Sequence, residues 1–210
     1  MLNLYTFATP NSIKPVIALE ELGVPYQLNS VNVRVGEQKK PEFLSLNANG
    51  KVPVLVDDSM PGGDFVLSES AAILVHLAER HGKLLPANGP FRARVFEQLF
   101  FHASGLGPAF GQSGFFQKTA QEVLPLAIKR FHDEALRTAR LLNDILLRNE
   151  YAAGPEYTIA DIAHFGWLWR RAFANVELED MPGLARWYAQ MLQRPAVARS
   201  ISIVEALIPA

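Results

Sequence analysis

The 210-residue chain contains no cysteine. That excludes disulfides, a protein thiolate nucleophile, a CxxC redox pair and cysteine metal ligands. It also lacks excess charge: 20 Lys and Arg against 21 Asp and Glu leave a net charge of −1. With no basic surplus to hold a phosphate backbone or an anionic surface, neither nucleic acid nor membrane is expected as a partner. No apolar run approaches the ~20 residues needed to span a bilayer. The five histidines make no metal pattern. His76 and His81 stand five apart on one predicted helix, and His102, His132 and His164 are isolated, so no metal is expected. The opening MLNLYTFATP has no basic stretch and no cleavage-site pattern, so no secretory leader is expected and a cytoplasmic location is the default.

What is present is a globular balance, 49% hydrophobic and 20% charged. Residues 2–7 read as a strand. Thr9-Pro10-Asn11-Ser12 is a turn ending in helix-capping residues, and Ile13–Leu22 is an amphipathic helix stopped by Gly23. A second strand is expected over 26–33 and a short helix over 41–46. Residues 54–56 and 65–67 form a hairpin around Met60-Pro61-Gly62-Gly63, and Ser68-Glu69-Ser70 opens a helix that runs to Gly82. The order βαβαββα is that of a thioredoxin-like α/β domain, residues 1–82, with a four-stranded mixed sheet.

Residues 83–90, KLLPANGP, read as a linker, and 91–210 as an all-helical domain. GLGPAFGQSG at 105–114 is expected to break a helix. Its glycine spacing is not a dinucleotide fingerprint, since no strand precedes it and proline interrupts it. Thr119-x-x-Glu122 predicts a capping box for a helix reaching Arg148, kinked or restarted at Pro125. Thr158-x-x-Asp161 predicts a second box, opening a helix, IADIAHFGWLW, apolar on nearly all sides and therefore buried.

At the hairpin two features converge. Val52 precedes Pro53 and is pushed into an extended conformation. The free N–H groups and positive dipole end at Ser70 suit a carboxylate. A strand edge beside an anion-binding helix end fits a small acidic peptide. Lys51-Val52-Pro53 followed by Ser68-Glu69-Ser70-Ala71-Ala72-Ile73-Leu74 resembles the glutathione-binding core of the glutathione S-transferase family. Thr9-Pro10-Asn11, GLGPAFGQ, and Leu124-Pro125-Leu126-Ala127-Ile128-x-Arg130 resemble the bacterial nu class of that family, glutathione-dependent disulfide-bond oxidoreductases. The tryptophans of that class before GLGP are absent; Gln98 and Phe101 stand there, with His102 beside them.

The resemblance implies a fold, an activity and a site. Thr9 and Asn11 are implied as donors to the glutathione sulfur. Glu69 and Ser70 are implied at the γ-glutamyl end, the Val52 backbone against the cysteinyl backbone, and Gln38 and Lys51 at the glycyl carboxylate. Arg130 is implied to reach the cleft from the helical domain. Tyr5 lies inside the first strand and is expected to pack on the sheet. Glutathione is implied as cosubstrate, a homodimer as the assembly, and a small-molecule disulfide, hydroperoxide or electrophile as second substrate. Conjugation of glutathione to hydrophobic electrophiles, in a pocket of Phe110, Phe115 and Phe116, is one alternative; a non-catalytic glutathione-binding protein is another.

Overall fold

The computed structural model describes residues 1–209, which divide into two compact units. The first holds Met1–Lys83 together with the chain from Gln193 on; the second holds Leu84–Leu192.

In the first unit, strands β1 (Leu2–Thr6), β2 (Tyr26–Ser30), β3 (Val54–Asp57) and β4 (Phe65–Ser68) form one sheet in the order β2-β1-β3-β4. β1 pairs in parallel with β2, and β3 runs antiparallel to both β1 and β4. Helix α1 (Ile13–Leu22), the short α2 (Pro41–Leu44) and α3 (Ser70–His81) accompany the sheet. Gly23 and Gly82 end α1 and α3 in the left-handed conformation that glycine adopts at least cost. Leu4, Ile17, Leu19, Leu55, Ile73 and Leu74 are fully buried in the core.

The mixed sheet and the element order match the sequence reading, with strand ends differing by one to three residues. The domain boundary differs at the C-terminal end. Helix α9 (Pro195–Glu205), expected within the helical domain, packs on α1 in the first unit. Arg194 grips Glu21 through two hydrogen bonds of 2.6 and 3.1 Å, and Arg199 Nε donates to Glu20 at 2.8 Å. The charge complementarity along α1 was not legible from either helix alone.

The second unit contains α4 (Gly89–Phe101), α5 (Gly107–Lys118), α6 (Pro125–Arg148), α7 (Ile159–Trp169) and α8 (Pro182–Leu192). The residues expected as a linker are partly anchored here. Leu85 is buried, the Leu84 carbonyl accepts from Ile159 N–H at 3.0 Å, and the Pro86 carbonyl accepts from Arg92 at 2.9 Å.

Two expectations fail in this unit. The glycine-rich stretch does not break the helix: His102–Leu106 forms a π-helical turn that carries α4 into α5. Pro108 cannot donate to the helical ladder, and a widened turn accommodates it without ending the helix. The capping box at Thr119 and Glu122 does not form. Thr119 closes α5 instead, its N–H donating to Phe115 at 2.9 Å, and α6 starts at Pro125. Proline excludes the α conformation for Leu124 before it, so the helix begins at the proline and does not run through it. The second capping box does form. Thr158 Oγ1 accepts from Ala160 N–H at 3.2 Å, and Asp161 accepts from Thr158 N–H at 2.9 Å. Every residue of α7 from Ile159 to Gly166 is buried.

Candidate functional site

The sheet topology decides where the chemistry-bearing segments meet. Because β3 opposes both β1 and β4, the end of β1, the start of β3 and the end of β4 lie at one end of the sheet; the parallel β2 ends there too. The turn 9–12 follows β1, Lys51 and Val52 precede β3, and Glu69 and Ser70 follow β4. Gln38 lies on the stretch after β2.

The turn into α1 presents donors. Thr9 Oγ1 accepts from Ser12 N–H at 3.1 Å, and the Thr9 carbonyl accepts from Ile13 N–H at 3.2 Å. With one lone pair engaged in the turn, the Thr9 hydroxyl keeps its hydrogen for another partner. Ser12 occupies the N-cap position of α1 but makes no side-chain capping bond. The helix dipole adds positive potential at this end.

Lys14 is the residue that sequence reasoning missed. It lies in the first turn of α1 and is 1% exposed. Its Nζ donates to Asn11 Oδ1 at 2.8 Å and to Ser70 Oγ at 3.4 Å. Lys14 therefore ties the turn before α1 to the first residue of α3. Burial pushes its ammonium down to about 7, with the charge of Glu69 pulling the other way. A signal was present. In Ile13-Lys14-Pro15-Val16-Ile17-Ala18-Leu19 the lysine interrupts an apolar run, and all seven residues are buried.

At the β4–α3 junction Ser70 is the first residue of α3, and Glu69 before it holds φ at 70°. A non-glycine residue held there costs on the order of 1–3 kcal/mol, and such strain clusters at ligand sites. The Val52–Pro53 bond is cis. The Val52 side chain packs against the cluster of Val31, Phe43 and Val54. Among the described residues its backbone N–H and C=O make no hydrogen bond. Lys51 is exposed, and its carbonyl accepts from Asn47 at 2.8 Å. Gln38 Nε2 donates to the Val33 carbonyl at 3.4 Å, while its Oε1 is buried without a partner.

Arg130 belongs to the other unit, exposed on α6 and 3.7 Å from Glu134. Tyr5 packs edge-on against Phe43, with ring centroids 6.5 Å apart. Of the three phenylalanines considered for a pocket, Phe110 is fully buried, Phe116 stacks on Phe131 and Phe115 is exposed. Phe110 is thus core. Among the described residues no group of His, Asp and Glu is arranged to hold a metal ion, and no helix is long and apolar enough to cross a membrane.

The family models for the glutathione S-transferase N-terminal and C-terminal domains match residues 1–79 and 127–195. The chain belongs to the glutathione S-transferase family. It is 37% identical over 205 residues to the disulfide-bond oxidoreductase YfcG of Escherichia coli K12, covering 96% of this chain and 94% of that protein. Among solved structures, a glutathione transferase family member from Pseudomonas fluorescens with two glutathiones bound superposes with a TM-score of 0.91. It is 38% identical, covering 95% of this chain and 92% of that one. A glutathione transferase from Pseudomonas putida, with one glutathione disulfide bound per subunit, gives 0.89 at 35% identity, covering 96% and 91%. The fold is therefore that of the family, an α/β first domain with a helical second one.

Proposed function

We propose that this protein is a glutathione-dependent disulfide-bond oxidoreductase whose reacting thiolate belongs to bound glutathione. The observation that carries this reading is the polarity of the turn before α1. Thr9 Oγ1 and Asn11 Oδ1 both already accept hydrogen bonds from within the protein, so hydrogens are what remain to be offered. A free thiol is only about 3% thiolate at neutral pH. Lowering its pKa by two units needs about 2.7 kcal/mol of preferential thiolate stabilisation. Two neutral donors and a helix N-terminus are of that order.

The remaining contacts are assigned at that end of the sheet. The unpaired N–H and C=O of Val52 take the cysteinyl backbone as a one-residue strand addition. Ser70 and the α3 N-terminus take the γ-glutamyl carboxylate, and Glu69 takes its ammonium. Gln38 and Lys51 take the glycyl end. Arg130 is assigned to the cleft by resemblance alone.

The reaction uses two glutathiones as cosubstrates. The first thiolate attacks one sulfur of the substrate disulfide; a new S–S bond forms as the old one breaks, and the departing sulfur leaves as a thiolate that takes a proton from water. The second thiolate attacks the glutathione sulfur of the mixed disulfide, expelling the other substrate thiolate and leaving oxidised glutathione. Two electrons pass from glutathione to substrate, and no protein atom changes oxidation state. The chain has no cysteine to do otherwise. The two glutathiones in the Pseudomonas fluorescens relative and the glutathione disulfide in the Pseudomonas putida relative correspond to the reactant pair and the product.

A homodimer completes the reading, carried by family resemblance, and a chain without cysteine suits the reducing cytoplasm. Sedimentation that finds only a 23.3 kDa species at micromolar concentration would remove the dimer. The function is tested by assaying the purified protein side by side with hydroxyethyl disulfide, cumene hydroperoxide and chlorodinitrobenzene. Disulfide reduction should dominate; turnover of the aromatic chloride alone would make the protein a conjugating enzyme.

A further inference from the structure

We propose that Lys14 is a positioning residue that makes Asn11 and Ser70 present hydrogens to glutathione, and so couples the thiol end of the site to the γ-glutamyl end. The inference rests on the disulfide-reductase reading above. Its basis is the donor and acceptor inventory of the three groups. An ammonium has three donors and no acceptor, so whatever touches it must turn an oxygen toward it. Asn11 does so with Oδ1, at 2.8 Å. A planar amide that points its oxygen at Lys14 points its NH2 away, which fixes which face of Asn11 meets a ligand. The flipped amide would set Nδ2 against the ammonium and an oxygen toward the sulfur, where it would repel a thiolate. Ser70 Oγ also accepts from Lys14, at 3.4 Å, which leaves its O–H hydrogen for an anion.

The location strengthens the inference. Lys14 is 1% exposed, so water does not compete for its three hydrogens. A buried lysine is costly to keep where an apolar residue would pack. It also places a positive charge behind both donors, and hydrogen bonds in such a chain polarise one another. Glu69, on the β4–α3 turn, is the acidic group whose charge reaches Lys14. Arg194 and Arg199 of α9 engage Glu21 and Glu20 near the opposite end of α1. The ammonium sits down at about 7, close enough to neutrality for its protonation to be observed.

The test is the ultraviolet titration of the bound glutathione thiol in the wild type, Lys14→Met, Asn11→Ala and the double variant. In the wild type the thiol should titrate below free glutathione; if it does not, the function proposed above fails, whatever Lys14 does. Lys14→Met should raise the bound thiol pKa by about one unit, a tenfold loss of thiolate. In the Asn11→Ala background the same substitution should move that pKa by clearly less, since only the bare charge of Lys14 is then lost, while still weakening glutathione binding through Ser70. A wild-type titration in Lys14→Met, or an effect that simply adds to that of Asn11→Ala, overturns the proposal. A measurement on the wild type covers the case in which Lys14→Met does not fold. The Asn11 side-chain amide resonances, assigned by their loss in Asn11→Ala, should shift along the titration curve of the Lys14 ammonium. Amide resonances unmoved through that titration would equally overturn it.

Discussion

The Trp187 indole N–H donates to Asp161 Oδ1 at 2.9 Å, both residues being buried, and so pins α8 to the N-terminus of α7. The same carboxylate accepts from the backbone N–H groups of Ala152 and Thr158 at 2.8 and 2.9 Å. One side chain thus satisfies donors from three places in the chain. Burial pushes its carboxyl up to about 6, and these donors hold it back from rising further.

Asp161 should give the fold a distinct pH signature. Its folded pKa lies above its unfolded value of 3.8, so between the two the native state holds a proton that the unfolded chain has released. Its contribution is full below about pH 4 and is lost as pH rises to about 6, with a slope of at most ~1.4 kcal/mol per unit. Denaturant unfolding of the wild type and Asp161→Asn across this window should show that difference in slope. Asp161→Asn should also be less stable throughout, because its amide keeps one oxygen and turns hydrogens either on the Thr158 N–H or on the donors of Ala152 and Trp187, which need lone pairs. Parallel pH profiles would show that Asp161 does not titrate there.

Lys14 should act with the opposite sign. Its folded pKa of about 7 lies below its unfolded value of 10.5, so folding expels a proton between them. Wild-type stability should climb as pH rises from about 7 to 10.5, and Lys14→Met should remove that slope. Near neutral pH the methionine variant should be the more stable protein and the poorer enzyme, the trade expected of a charge buried for function. Thermal melts of both proteins at three pH values would decide it.

Gly114 should tolerate no side chain. A Cβ built there would lie 2.1 Å from the Phe173 ring, far inside contact distance. Gly114→Ala must displace that ring, and overpacking of this kind costs about 1–3 kcal/mol. The urea midpoint should fall correspondingly, while glutathione affinity should stay near the wild type if the proposed contacts of the first unit set it. An unchanged midpoint would mean that Phe173 moves aside freely.

Ser70→Ala and Glu69→Ala should weaken glutathione binding more than they alter the thiol. Loss of a hydrogen bond to a charged group costs about 1.5–3 kcal/mol, roughly 10- to 150-fold in affinity. Calorimetry measures this directly. Affinities unchanged in both variants would place the γ-glutamyl end somewhere else.

Most of the fold was legible because its signals are local. Gly23 and Gly82 mark helix ends, Thr158 and Asp161 mark a beginning, and the alternation of strands and helices fixes the sheet. The errors arose where a local signal had two physical outcomes. Pro108 was expected to end a helix that a π-turn carries past it, and Thr119 has the residue type of an N-cap yet closes α5. The placement of α9 depends on Arg194 and Arg199 meeting Glu21 and Glu20, more than 170 residues apart. Within the proposed site the donors Thr9, Asn11 and Ser70 were readable from motif resemblance. Lys14 was not, because its role exists only once β4 has delivered Ser70 to within 3.4 Å.

The sharpest prediction concerns Thr9 and Asn11. If sulfur activation is their function, Asn11→Ala should reduce turnover more than glutathione affinity, since its donor matters most where negative charge concentrates on sulfur. Thr9→Ala should act the same way and more weakly, for water can stand in for one hydroxyl, although the bond to Ser12 N–H at 3.1 Å is lost as well. Loss of one such donor costs ~10²–10³ in rate in a dry site and less where water enters. Meanwhile alkylating reagents applied and then removed should leave wild-type activity intact, and mass spectrometry during turnover should find no protein–glutathione adduct, because the chain has no thiol. The two results interlock. Insensitivity to alkylation places the chemistry on glutathione, and the variants say which protein groups prepare it. A double variant that reduces hydroxyethyl disulfide at the wild-type rate would return Thr9 and Asn11 to the role of turn residues.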